Sequence, residues 1–377
     1  MNIETRNILF ALLSCGLAAD ADRAVETQRP LFDVMEAAPD WKAVYKLSAA
    51  QGVLAVAWDG LQRLIDGGAI AREKRPDRSL TLQWVYNVQM IEERYAKQEQ
   101  TIAKLARFYS SHDIDMMLLK GYGLSLCYPV PAHRPCGDID IWLYGEQQRA
   151  DELLRSEMGV KVAEDEHHHT VFFVDGVMVE NHYDFINVHA HLSSRIVEAE
   201  LQQYAKSDSE EVEVAGAKAL IPSAQFNALF LLRHAASHYA AENIGLRHVL
   251  DWAMFVVKYG SQVDWTELER ISKEVNMHRF LYCLNAIAAK CAGSDAAAFA
   301  DYPHDEMEER VLNDILEPEF AEKVPSKGVV RLLLFKFRRW WSNRWKHRLV
   351  YSESLFTTFI VQIYSHILKP KTFVYRK

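Results

Sequence analysis

Residues 118–143 read LLKGYGLSLCYPVPAHRPCGDIDIWL, and the end of this stretch decides the fold. Asp138 and Asp140 stand at i and i+2 in an apolar run. On a strand both carboxylates therefore point to one face, while Ile139 and Ile141 point to the other. Two carboxylates that close stay ionised only beside positive charge, and hard oxygen donors suit Mg²⁺ or Mn²⁺. A third acid completes a two-metal site. Glu180, in the strand-like run VMVENHY of residues 177–183, is placed to supply it, with Asp184 as the competitor, and His182 at i+2 faces the same side as Glu180. Upstream, Lys120, Gly121 and Gly123 lie at an expected strand-to-helix junction, where glycines let backbone N–H groups approach a phosphate. Arg134, four residues before Asp138, is a bidentate donor for phosphate oxygens. No G-x-x-x-x-G-K-[ST] run occurs, which disfavours a P-loop nucleotide hydrolase.

Outward from this stretch the texture changes twice. Before it, apolar residues recur at three- and four-residue spacing around 8–17, 41–50, 53–64 and 82–109, as buried helix faces require. From 113 to 222 short apolar runs alternate with Gly, Pro and charged turns. They predict strands at 116–119, 138–143, 160–162, 169–174, 177–182 and 212–214, and helices at 124–128 and 147–158. Helical periodicity returns at 223–240, 246–259, 264–275 and 278–292. The expected fold class is α+β, a small mixed α/β sheet core flanked by helical parts. The expected units are a helical region 1–111, an α/β core 112–222, a helical domain 223–300 and a helical, basic-aromatic region 301–377. A chain of 377 residues exceeds the ~250–300 at which one core usually stops growing.

The order strand, glycine turn, short helix, then a strand with Asp-hydrophobic-Asp and a later acid resembles the DNA polymerase β-like nucleotidyltransferase superfamily. In particular, residues 118–121 (LLKG), residues 134–140 (RPCGDID) and the Glu180–His182 pair look like the bacterial branch labelled uncharacterised nucleotidyltransferase. So do residues 233–238 (RHAASH) and 245–251 (GLRHVLD). The likeness covers roughly residues 1–260 in texture and rests on about a dozen positions. It implies a sheet core with helical flanks and metal-dependent transfer of a nucleotidyl group from an NTP to an acceptor, with pyrophosphate released. Asp138, Asp140 and Glu180 would be catalytic and hold Mg²⁺ or Mn²⁺; Lys120, Gly121, Gly123 and Arg134 would bind nucleotide; His182, His234, His238 and Asp251 would line the cleft. The superfamily's Gly-Ser turn is missing, because Tyr122 and Leu124 follow the two glycines. The alternative is a non-catalytic adaptor that binds a nucleotide or partner, at a membrane surface or elsewhere.

Other features have plainer readings. The run 164–169 (EDEHHH) reads as a solvated loop entering a strand, and His189 and His191 share a face if extended. His234 and His238 have i, i+4 spacing, but Ala235 stands where a zinc protease has Glu. Arg247 and Asp251 are most simply an intrahelical ion pair. Residues 331–348 (RLLLFKFRRWWSNRWKHR) hold seven Lys/Arg and no acid in a chain of net charge −8, so the remainder carries −15. This segment either packs over the acidic remainder, lies on a membrane surface, or stacks on nucleic acid, in that order of preference. The overall negative charge makes nucleic acid an unlikely partner for the whole chain. Five scattered cysteines without a C-x-x-C pair fit neither a disulfide framework nor a zinc ribbon, and point to a reducing cytoplasm. Residues 1–24 lack a strongly basic flank and read as a first helix rather than a signal peptide. No run of ~18–20 uncharged apolar residues occurs, residues 349–368 coming nearest.

Overall fold

The computed structural model describes residues 2–164, 169–188, 191–299, 302–322, 324–325 and 328–354. Its opening is helical: Ile3–Leu17, Ala21–Asp33, Trp41–Ala50, Leu54–Asp66 and the long Arg78–Ser110. Side-chain oxygens of Asn2, Asp20, Asp40 and Asp77 start four of these helices by accepting from backbone N–H groups of the first turn. Gly16 and Gly60 let the first and fourth helices meet backbone to backbone, since a Cβ on either would overlap the carbonyl oxygen of Val56 or Leu12.

Among the described residues seven strands form one mixed sheet: β1 Met117–Leu118, β2 Ile139–Trp142, β3 Ala163–Glu164, β4 His169–Val174, β5 Val177–His182, β6 Ser209–Val214 and β7 Ala217–Pro222, in the order β3-β4-β5-β2-β1-β7-β6. The β2–β5 and β1–β7 pairs are parallel and the rest antiparallel. Ile139 and Ile141 enter a core shared with Ile102, Leu105 and Tyr109 of the long helix and Leu154 of helix Gln147–Glu157. Trp142 enters a larger core on the opposite side, built from both the first helices and those after the sheet, including Leu12, Leu61, Phe230, Trp252, Phe280 and Ile287. Asp140, two residues before Trp142, thus faces the later helices.

Those helices are Ala224–Ala241, Leu246–Tyr259, Trp265–Glu274, His278–Ala292, Glu308–Leu316, Val329–Ser342 and Arg344–Val350. The fold is the α+β class that the sequence predicts. Several elements differ from expectation: the strand expected at 160–162 forms at Ala163–Glu164, and the helix expected at 124–128 lies at Lys120–Ser125. Helix Ala21–Asp33 contains Pro30 and few buried apolar residues, and β7 is a six-residue run with Lys218 exposed, set beside β1 by parallel pairing. Helix Leu192–Ser207, which the sequence reading does not include, begins directly after His191. His191 is extended only as the residue before that helix, and His167, His168 and His189 lie outside the described residues.

In the basic segment Lys346 pairs with Asp314 and Arg338 with Glu322, while Arg339 reaches Glu242 at 3.4 Å. These contacts fit the reading of a helix laid over acidic surface. Leu333, Leu334, Phe337 and Trp341 nevertheless remain exposed. Among the described residues, no helix is long and apolar enough to cross a membrane, and all five cysteines are free thiols. Most of the 349–368 run lies outside the described residues.

Candidate active site

Parallel pairing of β2 and β5 puts Asp140 beside Glu180, and Asp138 immediately precedes β2. Ligand atoms of Asp138, Asp140 and Glu180 all lie within 4.8 Å of one another. Asp140 is 2% exposed. Its Oδ1 accepts from Lys120 Nζ at 3.0 Å and from His182 Nε2 at 3.0 Å, whereas its buried Oδ2 has no hydrogen-bond partner. Burial alone would raise the Asp140 pKa, but the Lys120 ammonium and the His182 hydrogen bond outweigh it and hold the carboxyl well below the usual range. Asp138 moves the other way, raised by burial and then by the charge of Asp140, with Lys120 opposing. Burial opposes charge on Lys120 and on His182. The carboxylates nonetheless hold Lys120 above its ordinary pKa, and the hydrogen bond to Asp140 with the nearby Glu180 carboxylate does the same for His182.

The junction after β1 is tight. Lys120 has φ 20° and Gly121 φ 37°, the left-handed side that favours glycine. A Cβ on Gly121 would stand 3.6 Å from the Asp138 carbonyl and 4.0 Å from Asp140 Oδ2. Gly121 therefore keeps the acid face open. Gly123 instead allows close packing, its Cβ position lying 3.3 Å from Ile221 of β7. A buried carboxylate oxygen without a partner, two further acids within ligand distance and a side-chain-free approach fit a divalent cation.

Between this face and the later helices is a cavity of about 260 Å³. Lys120, Gly121, Asp138 and Asp140 form one wall; His234, His238, Arg247 and His248 form much of the other. The His234 and His238 rings meet edge to face at 4.4 Å. Burial, reinforced by the Lys120 charge, lowers the pKa of both, and burial with Arg247 lowers His248 to about 4. All three are thus held as neutral imidazoles near neutral pH. Neither of the two metal-competent groupings among the described residues contains them.

Arg134 and Asp251 also border the cavity, but they face each other. Arg134 donates Nε and Nη2 to Asp251 at 2.7 and 2.8 Å and Nη1 to Cys136 Sγ at 3.1 Å, and Tyr128 donates to the same carboxylate at 2.8 Å. The expected Arg247–Asp251 pair is replaced by this one, with Arg247 donating to the Pro135 carbonyl at 3.3 Å. Arg134 so bridges the loop before β2 and helix Leu246–Tyr259. Its three donor nitrogens point at protein atoms rather than at an open phosphate position.

His182 sits behind Asp140, 2% exposed, and Asp184 contributes its carbonyl to His182 Nδ1 at 3.3 Å. Two cavity residues, Arg247 and His248, escaped the sequence reading as functional candidates; their signal was proximity to Asp251 on one helix, which shows only after that helix docks on the sheet. His169, expected at the end of a solvated loop, is 8% exposed in β4 because pairing with β5 sets it directly opposite His182.

No curated protein matches the chain. The crystal structure of an antigenic nucleotidyltransferase-like protein from Paracoccidioides brasiliensis is similar at 14% identity over 56% of this chain and 96% of that one, with a TM-score of 0.34, too low to establish a shared fold. Residues 37–293 match the model of the family described as uncharacterised nucleotidyltransferase. With more than half its length matched, and with the Asp-Ile-Asp strand inside that span, the chain belongs to the uncharacterised nucleotidyltransferase family.

Proposed function

We propose that the protein is a cytoplasmic, Mg²⁺- or Mn²⁺-dependent enzyme that moves an NMP group from an NTP to an acceptor, releasing pyrophosphate. The observation that carries this reading is the partnerless, buried Oδ2 of Asp140, within ligand distance of Asp138 and Glu180 and beside the cavity. Asp138, Asp140 and Glu180 would hold the ions. When bound, divalent ions polarise an acceptor hydroxyl and offset the charge on departing pyrophosphate. His182 and Lys120 keep Asp140 ionised. Lys120, 3.0 Å from Asp140, would meet phosphate oxygens, with backbone N–H groups of the Gly121–Gly123 turn as further donors. Glu180 takes the acceptor proton. Arg134 acts with Asp251 as a positioning pair, and the His234, His238, Arg247 and His248 wall is left for the acceptor.

A non-catalytic adaptor is the second reading. It is favoured by Lys120 and His182 together occupying Asp140 Oδ1, as a protein cation would in a site that no longer takes metal. Calorimetric titration of the Mg²⁺ complexes of ATP, GTP, CTP and UTP into wild type and the Asp138→Ala/Asp140→Ala variant separates the two. Metal-dependent, saturable binding of at least one nucleotide, lost in the variant, is expected. Nucleotide binding that persists without metal and in the variant favours the adaptor.

A further inference from the structure

The sheet face that carries the acids extends one strand further. Asp140 on β2 lies beside Glu180 on β5, His182 follows Glu180 at i+2, and His169 on β4 is the cross-strand partner of His182. Strand pairing alone therefore lines up two imidazoles and a carboxylate next to the oxygen-only set. His169 Nε2 stands 3.7 Å from Glu180 Oε1, and His182 Nε2 stands 3.6 Å from Glu180 Oε2. The two rings are 5.3 Å apart between centroids, and the three ligand atoms fall within 4.8 Å of one another.

We infer that His169, Glu180 and His182 form a second metal site, selective for one borderline transition-metal ion of the zinc class. Bonds of about 2.0–2.1 Å to a tetrahedral zinc ion put neighbouring ligand atoms about 3.3 Å apart. His169 approaches one Glu180 oxygen at 3.7 Å and His182 the other at 3.6 Å, both beyond the ~3.2 Å limit of a good hydrogen bond, and one ligand atom from each residue lies within 4.8 Å of the others, so an ion would draw the three side chains together. Imidazole nitrogen suits zinc, cobalt or nickel, whereas Mg²⁺ prefers oxygen in octahedral geometry. His182 also has the outer contact of a metal-bound histidine, since Nδ1 meets the Asp184 carbonyl at 3.3 Å and so directs Nε2 inward. Glu180 and His169 have 18% and 10% of their side chains exposed and His182 has 3%, so the set is enclosed on a rigid sheet. Glu180 belongs to both sets. An ion in the histidine set withdraws Glu180, and the His182 Nε2 that bonds Asp140, from the oxygen set.

The test uses the full-length protein, stripped of metal, and Co²⁺ as the probe, with no nucleotide present. Wild type should bind one equivalent of Co²⁺ with visible d–d bands that Zn²⁺ abolishes by displacement. His169→Gln should weaken Co²⁺ binding at least tenfold, and His169→Cys, which supplies a thiolate donor, should retain it. The His167→Ala/His168→Ala variant should bind as wild type does. Unchanged binding in His169→Gln, or loss in the His167→Ala/His168→Ala variant, overturns the inference. X-ray absorption of the zinc-loaded wild type supplies a readout independent of any variant's folding. Two imidazoles and a carboxylate are expected, and an oxygen-only shell or one with three or more imidazoles overturns it. Failure here leaves the nucleotide reading standing, and failure of nucleotide binding leaves this site standing.

Discussion

At the residue scale, the closest electrostatic contact in the cavity wall is the Arg134–Asp251 pair. Both members are buried, 5% and 6% exposed, and two parallel N–H···O bonds join them. Removing one partner strands a buried charge, so Asp251→Ala should cost about 3–5 kcal/mol in urea-unfolding free energy. Replacing both residues with apolar ones, as in Arg134→Met/Asp251→Leu, should recover most of that loss. A cost under about 1 kcal/mol for Asp251→Ala would show that the guanidinium is satisfied elsewhere. The sequence shows Arg134 as a phosphate donor because an Arg-Pro turn before an Asp-x-Asp strand leaves its partner unspecified. That partner lies 117 residues away on another helix. The common side of Asp138 and Asp140 needed no such information, since i and i+2 spacing at the start of a strand sets it.

At the element scale, helix Leu192–Ser207 holds the chain as it leaves β5. Glu198 on that helix accepts from the backbone N–H groups of Phe185 at 3.2 Å and Ile186 at 3.0 Å, and from Gln202 at 2.8 Å. Burial raises its pKa from 4.5 to about 7. The folded state therefore holds a proton that the unfolded chain releases. This contribution to stability is fully present below pH 4.5 and is lost as the pH rises through about 7. Wild-type unfolding free energy should fall across that window by an amount bounded at about 3 kcal/mol, and Glu198→Gln should remove that component of the slope. Equal pH dependence in the two proteins would refute it. The periodicity of 192–207 is legible as helical only in retrospect, because Ser193 and Ser194 open it and its buried residues are few. β7 is illegible for a similar reason: pairing with β1 and β6 holds it extended.

At the scale of the whole molecule, the candidate site is a seam. The acids stand on the sheet, and the histidine wall stands on helices Ala224–Ala241 and Leu246–Tyr259, which belong to the larger core. An ion bound at Asp138, Asp140 and Glu180 relieves repulsion that Lys120 and His182 offset only in part, so Mg²⁺ or Mn²⁺ should raise the melting temperature. At a hundred times Kd the stabilisation is about 2.7 kcal/mol. Asp138→Asn/Asp140→Asn should abolish the shift, read by scanning calorimetry, while a wild-type melt indifferent to both ions would sink the oxygen-donor assignment.

Local patterns by themselves determined the class of the fold, the two runs of helices around a sheet, and the position of the Asp-Ile-Asp strand, because period and side-chain direction are properties of neighbouring residues. The tertiary structure alone decided which strand lies beside which, and thereby set Glu180 beside Asp140, turned His169 toward His182 and gave Arg134 to Asp251. Such contacts depend on sheet register and helix docking, which many residues of both cores fix jointly and no single stretch encodes.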